Sequence, residues 1–214
     1  MKEINETLAF STPIWSTKYP EHVEQINKLC DPYIKNKRQE NLKENKKNKK
    51  LPKKFKTDFG LVHHSPTLSQ DSQFKFFVDI VTELSSKFMN DSGFDLMGQK
   101  GLLTELWIQE FSKLGGGHHS LHAHWNTHVS GFYFLKCSKL TSFPRFQDPR
   151  PGALMTKIAE KDFAAITYSN SEINWSIEPG DMIIFPGYLP HQFAVDHGAE
   201  PFRFIHWNIQ YVKF

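Results

Sequence analysis

Cysteine is nearly absent. Two thiols in 214 residues, Cys30 and Cys137, can neither build a disulfide framework nor supply the paired spacing of a zinc ribbon, so both are expected to be reduced. Long apolar runs are missing too. No stretch approaches the roughly 18 residues that span a bilayer, and the opening MKEINETLAFSTPIW lacks the apolar segment of a signal peptide. The expectation is a single cytoplasmic domain, with 39% hydrophobic and 14% aromatic residues as core material. There is no internal repeat and no nucleophile elbow. LGGGHH at 114–119 runs into strand-like sequence, without the helix N-terminus that a phosphate loop needs, so its glycines read as a turn between strands.

Charge of one sign is scarce except in one place. Residues 41–57, NLKENKKNKKLPKKFKT, hold eight lysines and one glutamate, a local +7 in a chain of +3, which leaves the rest at −4. The protein is therefore not basic as a whole. The segment reads as a solvated loop, with attraction of an anionic partner such as nucleic acid through Lys43–Lys56 as the lesser alternative. No aromatic residue interleaves the lysines before Phe55, which argues against a base-stacking platform.

The periodicity changes along the chain. Residues 21–42 and 70–90 have helix-like spacing, the second through Phe74, Phe77, Val78, Ile80, Val81, Leu84 and Phe88. From about residue 102 come short β-branched and aromatic runs: LLTELWIQEF, HVSGFYFL, FAAITYS, INWSI, DMIIFP, HQFAV and FRFIHWNIQYV, with turn residues between them. A helical N-terminal segment, 1–99, followed by an antiparallel sandwich or jelly roll, 100–214, is expected within one domain.

What the chain does concentrate is imidazole. Five of its eleven histidines, His118, His119, His122, His124 and His128, fall within eleven positions and run directly into the apolar VSGFYFL. On a strand, alternation puts His122 and His124 on one face, close enough to share an ion, with His118 further back and His119 opposite. H-x-H alone is a modest signal. The downstream EPGDMIIFPGYLPHQFAV strengthens it with a tight turn, an apolar strand and then His191, and Arg203 opens the last strand.

Through HAHWNTHVSGFYFL, DPR at 148–150, PGDMIIFPGYLPH and RFIHWN, residues 100–214 resemble the iron(II) and 2-oxoglutarate-dependent oxygenases, most closely a group found in marine bacteria and their phages. The resemblance implies a mainly β double-stranded β-helix and a metal held by His122, His124 and His191. It also implies Arg203 as a two-pronged clamp on the distal carboxylate of 2-oxoglutarate, with Asn126, Tyr133, Arg150 and Trp125 as further pocket residues. The implied cofactors are Fe(II) and 2-oxoglutarate, with ascorbate a further candidate, and the implied reaction is hydroxylation of a C–H bond in a small molecule or peptide, releasing succinate and CO2. The wider family pairs His with Asp or Glu, whereas position 124 is histidine; Asp148 and Asp196 are the rival carboxylates. A three-histidine dioxygenase that uses no 2-oxoglutarate, and a non-catalytic jelly-roll module, are the alternatives. His63, His64, His197 and His206 read as background, and Trp107, Trp175 and Trp207 as core.

Overall fold

Among the described residues, ten strands fall into two antiparallel sheets. The computed structural model describes residues 5, 7–53, 56–155 and 158–214. In chain order the elements are β1 (Trp15–Lys18), α1 (Val23–Lys47), β2 (Val62–His64), α2 (Lys75–Asp91), β3 (Gln99–Phe111), β4 (His119–His122), β5 (Val129–Lys136), β6 (Pro144–Gln147), α3 (Pro151–Met155), β7 (Glu172–Asn174), β8 (Asp181–Pro186), β9 (His191–Phe193) and β10 (Arg203–Lys213). The six-stranded sheet runs β1-β8-β5-β10-β3-β2 and the four-stranded sheet β4-β9-β6-β7. This mainly β, two-sheet architecture is the jelly roll that the strand pattern suggests. The N-terminal segment adds more than helices to it, because β1 and β2 form the two edges of the larger sheet.

Alternation along the strands creates two apolar interiors. Leu106 and Ile108 of β3, Tyr133 and Leu135 of β5, Met182 and Ile184 of β8, and Ile205, Trp207 and Ile209 of β10 face the helices. There they meet Ile26, Cys30 and Ile34 of α1, spaced by four, and Phe77, Val81 and Phe88 of α2. The opposite faces enclose the barrel, filled by Phe111, Phe132, Phe134, Phe146, Ile183, Phe185, Phe193 and Phe204. No helix among the described residues is long and apolar enough to cross a membrane.

Two expectations need correction. FAAITYS, 163–169, forms no strand; it is a run of turns with Phe163, Ile166 and Tyr168 exposed, because no neighbouring strand pairs with it. The Lys-rich stretch is not all loop either. α1 continues to Lys47, its last turns made of residues with good helix propensity rather than of buried ones. Lys54 and Phe55 lie outside the described residues.

Close packing of Trp207 requires glycine at 131. A Cβ built there would meet the indole Cζ2 at 2.1 Å, and β5 and β10 pair Gly131 with Trp207 directly. Gly131→Ala is expected to lower stability by about 1–3 kcal/mol through overpacking; an unchanged urea midpoint would contradict this packing.

Candidate metal centre

Three imidazoles converge at the end of the barrel. His122 closes β4, His191 opens β9, and the two are direct cross-strand partners. Their ring centroids lie 4.5 Å apart. His124 lies just beyond β4. Its amide donates to Gly187 O at 2.9 Å, and the following turn has Asn126 at φ 53°, a left-handed conformation that asparagine tolerates. His124 Nε2 stands 3.2 Å from His191 Nε2, and one nitrogen from each of the three rings lies within 4.8 Å of the others.

The second ring nitrogens set the tautomers. His122 Nδ1–H donates to Ser120 O at 2.7 Å and His191 Nδ1–H to Leu189 O at 2.9 Å, so each leaves the lone pair of Nε2 toward the common point. Burial, and after it neighbouring imidazoles, pushes the histidines down: His124 and His119 to about 4, His191 to about 3. For His191 the bond to Leu189 O opposes burial. Neutral imidazole is the form that binds metal, so the donor set suits a divalent transition ion.

Strand parity redistributes the other candidates. Arg203 is buried, but on the helix side of β10. Its Nη2 lies 2.6 Å from Glu110 Oε2 and its Nη1 2.7 Å from Asp31 Oδ1, so it ties α1 to the sheet instead of facing the imidazoles. Glu110 is also paired with Arg38. Tyr133 shares that outer face and donates its hydroxyl hydrogen to Tyr19 O at 2.6 Å. Neither lines the space beside the three rings. Arg150 sits after β6 in a cavity of about 350 Å3, held by Asp148 through bonds of 2.9 and 2.8 Å. Asn126 lines a separate pocket of about 310 Å3 that reaches His124.

The rival carboxylates are committed elsewhere. Asp148 pairs with Arg150, which holds its carboxyl below the usual range. Asp196 accepts from the amides of Ser142 and Gly198, at 2.9 and 2.7 Å, and so clamps two loops. His118 and His119 exchange the faces expected of them. The β4–β9 register is irregular between His119 and His122, so His119 turns inward against Phe111, Phe193 and Phe204, while His118 is exposed. His128 accepts from Tyr211 N near the end of β10.

Sequence reasoning passed over three residues at the centre. His206 stacks on His124 with ring centroids 4.7 Å apart. Asn208 Nδ2 donates to His124 Nδ1 at 3.1 Å and to Glu105 Oε2 at 2.6 Å, while its Oδ1 accepts from Ser130 Oγ at 2.6 Å. The available signal was alternation within RFIHWN, which puts His206 and Asn208 on one face and Arg203 on the other.

Residues 105–204, just under half of the chain, match the model of the family described as "Putative 2OG-Fe(II) oxygenase". No curated protein sequence matches the chain. Among solved structures, EvdO2 from Micromonospora carbonacea var. aurantiaca is similar over 100% of this chain and 96% of its own, with a TM-score of 0.56 at 9% identity. A Pseudomonas putida prolyl-4-hydroxylase is similar over 94% of both chains, with a TM-score of 0.52 at 10% identity. The chain spans 54% of an oxidoreductase of the 2OG-Fe(II) oxygenase family from Burkholderia pseudomallei, which covers 67% of this chain at 11% identity and a TM-score of 0.41. At these identities the likeness is one of fold.

The depressed histidines make the metal-free fold sensitive to acid. In the unfolded chain these rings titrate near 6.5, so between about 6.5 and about 4 the unfolded state binds more protons than the folded one. Stability is fully present above about 6.5 and falls as pH drops toward about 4. Urea midpoints of the metal-free protein, measured from about pH 7 to about pH 4.5, are expected to decline throughout that range; a flat profile would show that the rings are not buried as described.

Proposed function

We propose that this chain is an iron(II)-dependent oxygenase of the 2OG-Fe(II) family whose model residues 105–204 match, a family that uses Fe(II) and 2-oxoglutarate. The reaction assigned to it is hydroxylation of a substrate C–H bond by O2, with 2-oxoglutarate converted to succinate and CO2. The observation that carries this reading is the convergence of His122, His124 and His191 at one point of the barrel. When bound, the ion supplies redox chemistry and open coordination positions.

The chain's own residues then have separable tasks. Ser120 O and Leu189 O orient the rings of His122 and His191. Phe132 and Phe185 pack against His191 with centroids 5.5 and 4.9 Å away, which keeps that side of the centre dry. The space beside the rings is about 10 Å3, lined among the described residues by aromatic and histidine side chains and by no lysine or arginine. That fits an ion and at most a water, and it does not fit a five-carbon dianion. The cavity of Arg150 is large enough, and it borders the centre at Phe146 and Leu189, both neighbours of His191. Our reading assigns the distal carboxylate to Arg150 in place of Arg203.

The small space beside the rings also favours a second reading, a three-histidine dioxygenase that takes no 2-oxoglutarate. Adding 2-oxoglutarate to the anaerobic Fe(II) protein separates the two. The first reading expects a visible charge-transfer band, weakened in Arg150→Ala by about 1.5–3 kcal/mol of 2-oxoglutarate affinity, the worth of a charged hydrogen bond. Iron binding without a band selects the second reading, and no iron binding removes both.

Arg203→Ala should leave 2-oxoglutarate affinity unchanged. It should lower stability by about 1.5–3 kcal/mol, because Glu110, 2% exposed, loses one of its two guanidinium partners and keeps Arg38. Loss of the band in this variant, with stability intact, would return the clamp to Arg203.

A further inference from the structure

His206 is completely buried on the inward face of β10, and one of its nitrogens has no partner among the described residues. Its Nδ1–H donates to Gly131 O at 3.1 Å, so Nε2 carries a lone pair that meets no donor. A buried acceptor left without a donor costs about 1–3 kcal/mol, a penalty that an apolar side chain at 206 would not incur. The ring stands against His124. Glu105, exposed on β3, brings a carboxylate oxygen within 4.8 Å of a ring nitrogen of each.

We propose that Glu105, His124 and His206 form a second divalent-metal position, sharing the His124 imidazole with the first. One carboxylate oxygen and two imidazole nitrogens lie within 4.8 Å of one another, a spread that a single ion closes by drawing each to about 2.1 Å. The set is two histidines and one carboxylate, the combination that His122, His124 and His191 lack. It goes beyond the three-histidine centre and does not depend on the oxygenase reading.

One ring can serve both positions because its two nitrogens face different groups. Nε2 meets His191, and Nδ1 meets Asn208. Asn208 marks the second point. A single amide nitrogen donates to both Glu105 Oε2 and His124 Nδ1, so two acceptors already converge on one electropositive group. A cation there takes the place of that amide and adds His206 Nε2 as a third donor. With both positions filled, His124 is bound through both nitrogens and gives its N–H proton to water. The pocket of about 310 Å3 lined by Glu105, His124, Trp125, Asn126, Asn208 and Gln210 opens onto the point and leaves space for water ligands.

Co(II) titration with equilibrium dialysis, visible d–d absorption and elemental analysis tests this on the whole chain. The parent is expected to take two ions, and Glu105→Gln and His191→Ala one each at Co(II) concentrations that saturate the parent, which requires the lost step to weaken at least about tenfold. Glu105 is exposed, so its isosteric glutamine variant is expected to fold, and far-ultraviolet circular dichroism verifies that it does. One ion in the parent, lost in Glu105→Gln and kept in His191→Ala, supports this position and removes the three-histidine centre. A parent that binds no ion, or any ion count that Glu105→Gln leaves unchanged, overturns the proposal.

Discussion

β10 carries both interiors of the molecule, and its register is the constraint on which the rest depends. Ile205, Trp207 and Ile209 project toward α1 and α2, while Phe204, His206 and Asn208 project into the barrel. A slip of one residue would exchange the two sets. Arg203 would enter the barrel, His206 would meet the helices, and Trp207 would lose the space above Gly131. The register is held from both sides, by eleven paired positions along β3 and by β5. It is reinforced at one end, where Arg203 joins Glu110 of β3 to Asp31 of α1. The helices, the ion-pair network and the metal centre are therefore consequences of one alignment.

The centre is built from neutral groups placed where charge is unfavourable. Burial keeps His119, His124, His191 and His206 unprotonated, and backbone carbonyls take the N–H of His122, His191 and His206. For His122 and His191, desolvation and tautomer selection thus act in the same direction, leaving the Nε2 lone pairs toward a shared point. An ion held by three neutral imidazoles would keep its full double charge, beside a wall of Trp107, Phe132, Phe193 and Phe204. Such a centre attracts anions strongly, and Glu105 is the carboxylate nearest to it among the groups able to share an ion.

Much of this was legible in the sequence, and the failures have physical causes. β3, β5, β8 and β10 were readable because each is a long run of β-branched and aromatic residues between turn signals, and α1 and α2 because their buried residues recur by four. The imidazole triad was readable because H-x-H at a strand end and a histidine after a tight turn are cross-strand neighbours in such a sheet. Distance from His191 along the chain does not reveal that Arg203 takes the helix side of β10. The same holds for Tyr133 on β5. His119 could not be placed because an irregular register interrupts strict alternation, and periodicity does not reveal where one occurs. In the sequence alone His206 reads as background. Its meaning depends on His124 and Glu105, which are distant in the chain and adjacent only across the sheet.

The claim that most of the account rests on is that His122, His124 and His191 hold one ion together. X-ray absorption of the protein loaded with a single equivalent of Fe(II), compared between the parent and His191→Ala, addresses it directly. The account predicts imidazole scattering from three rings at about 2.1 Å in the parent and the loss of one ring in the variant. A parent spectrum without imidazole scattering, or one unaltered by the loss of His191, would contradict it.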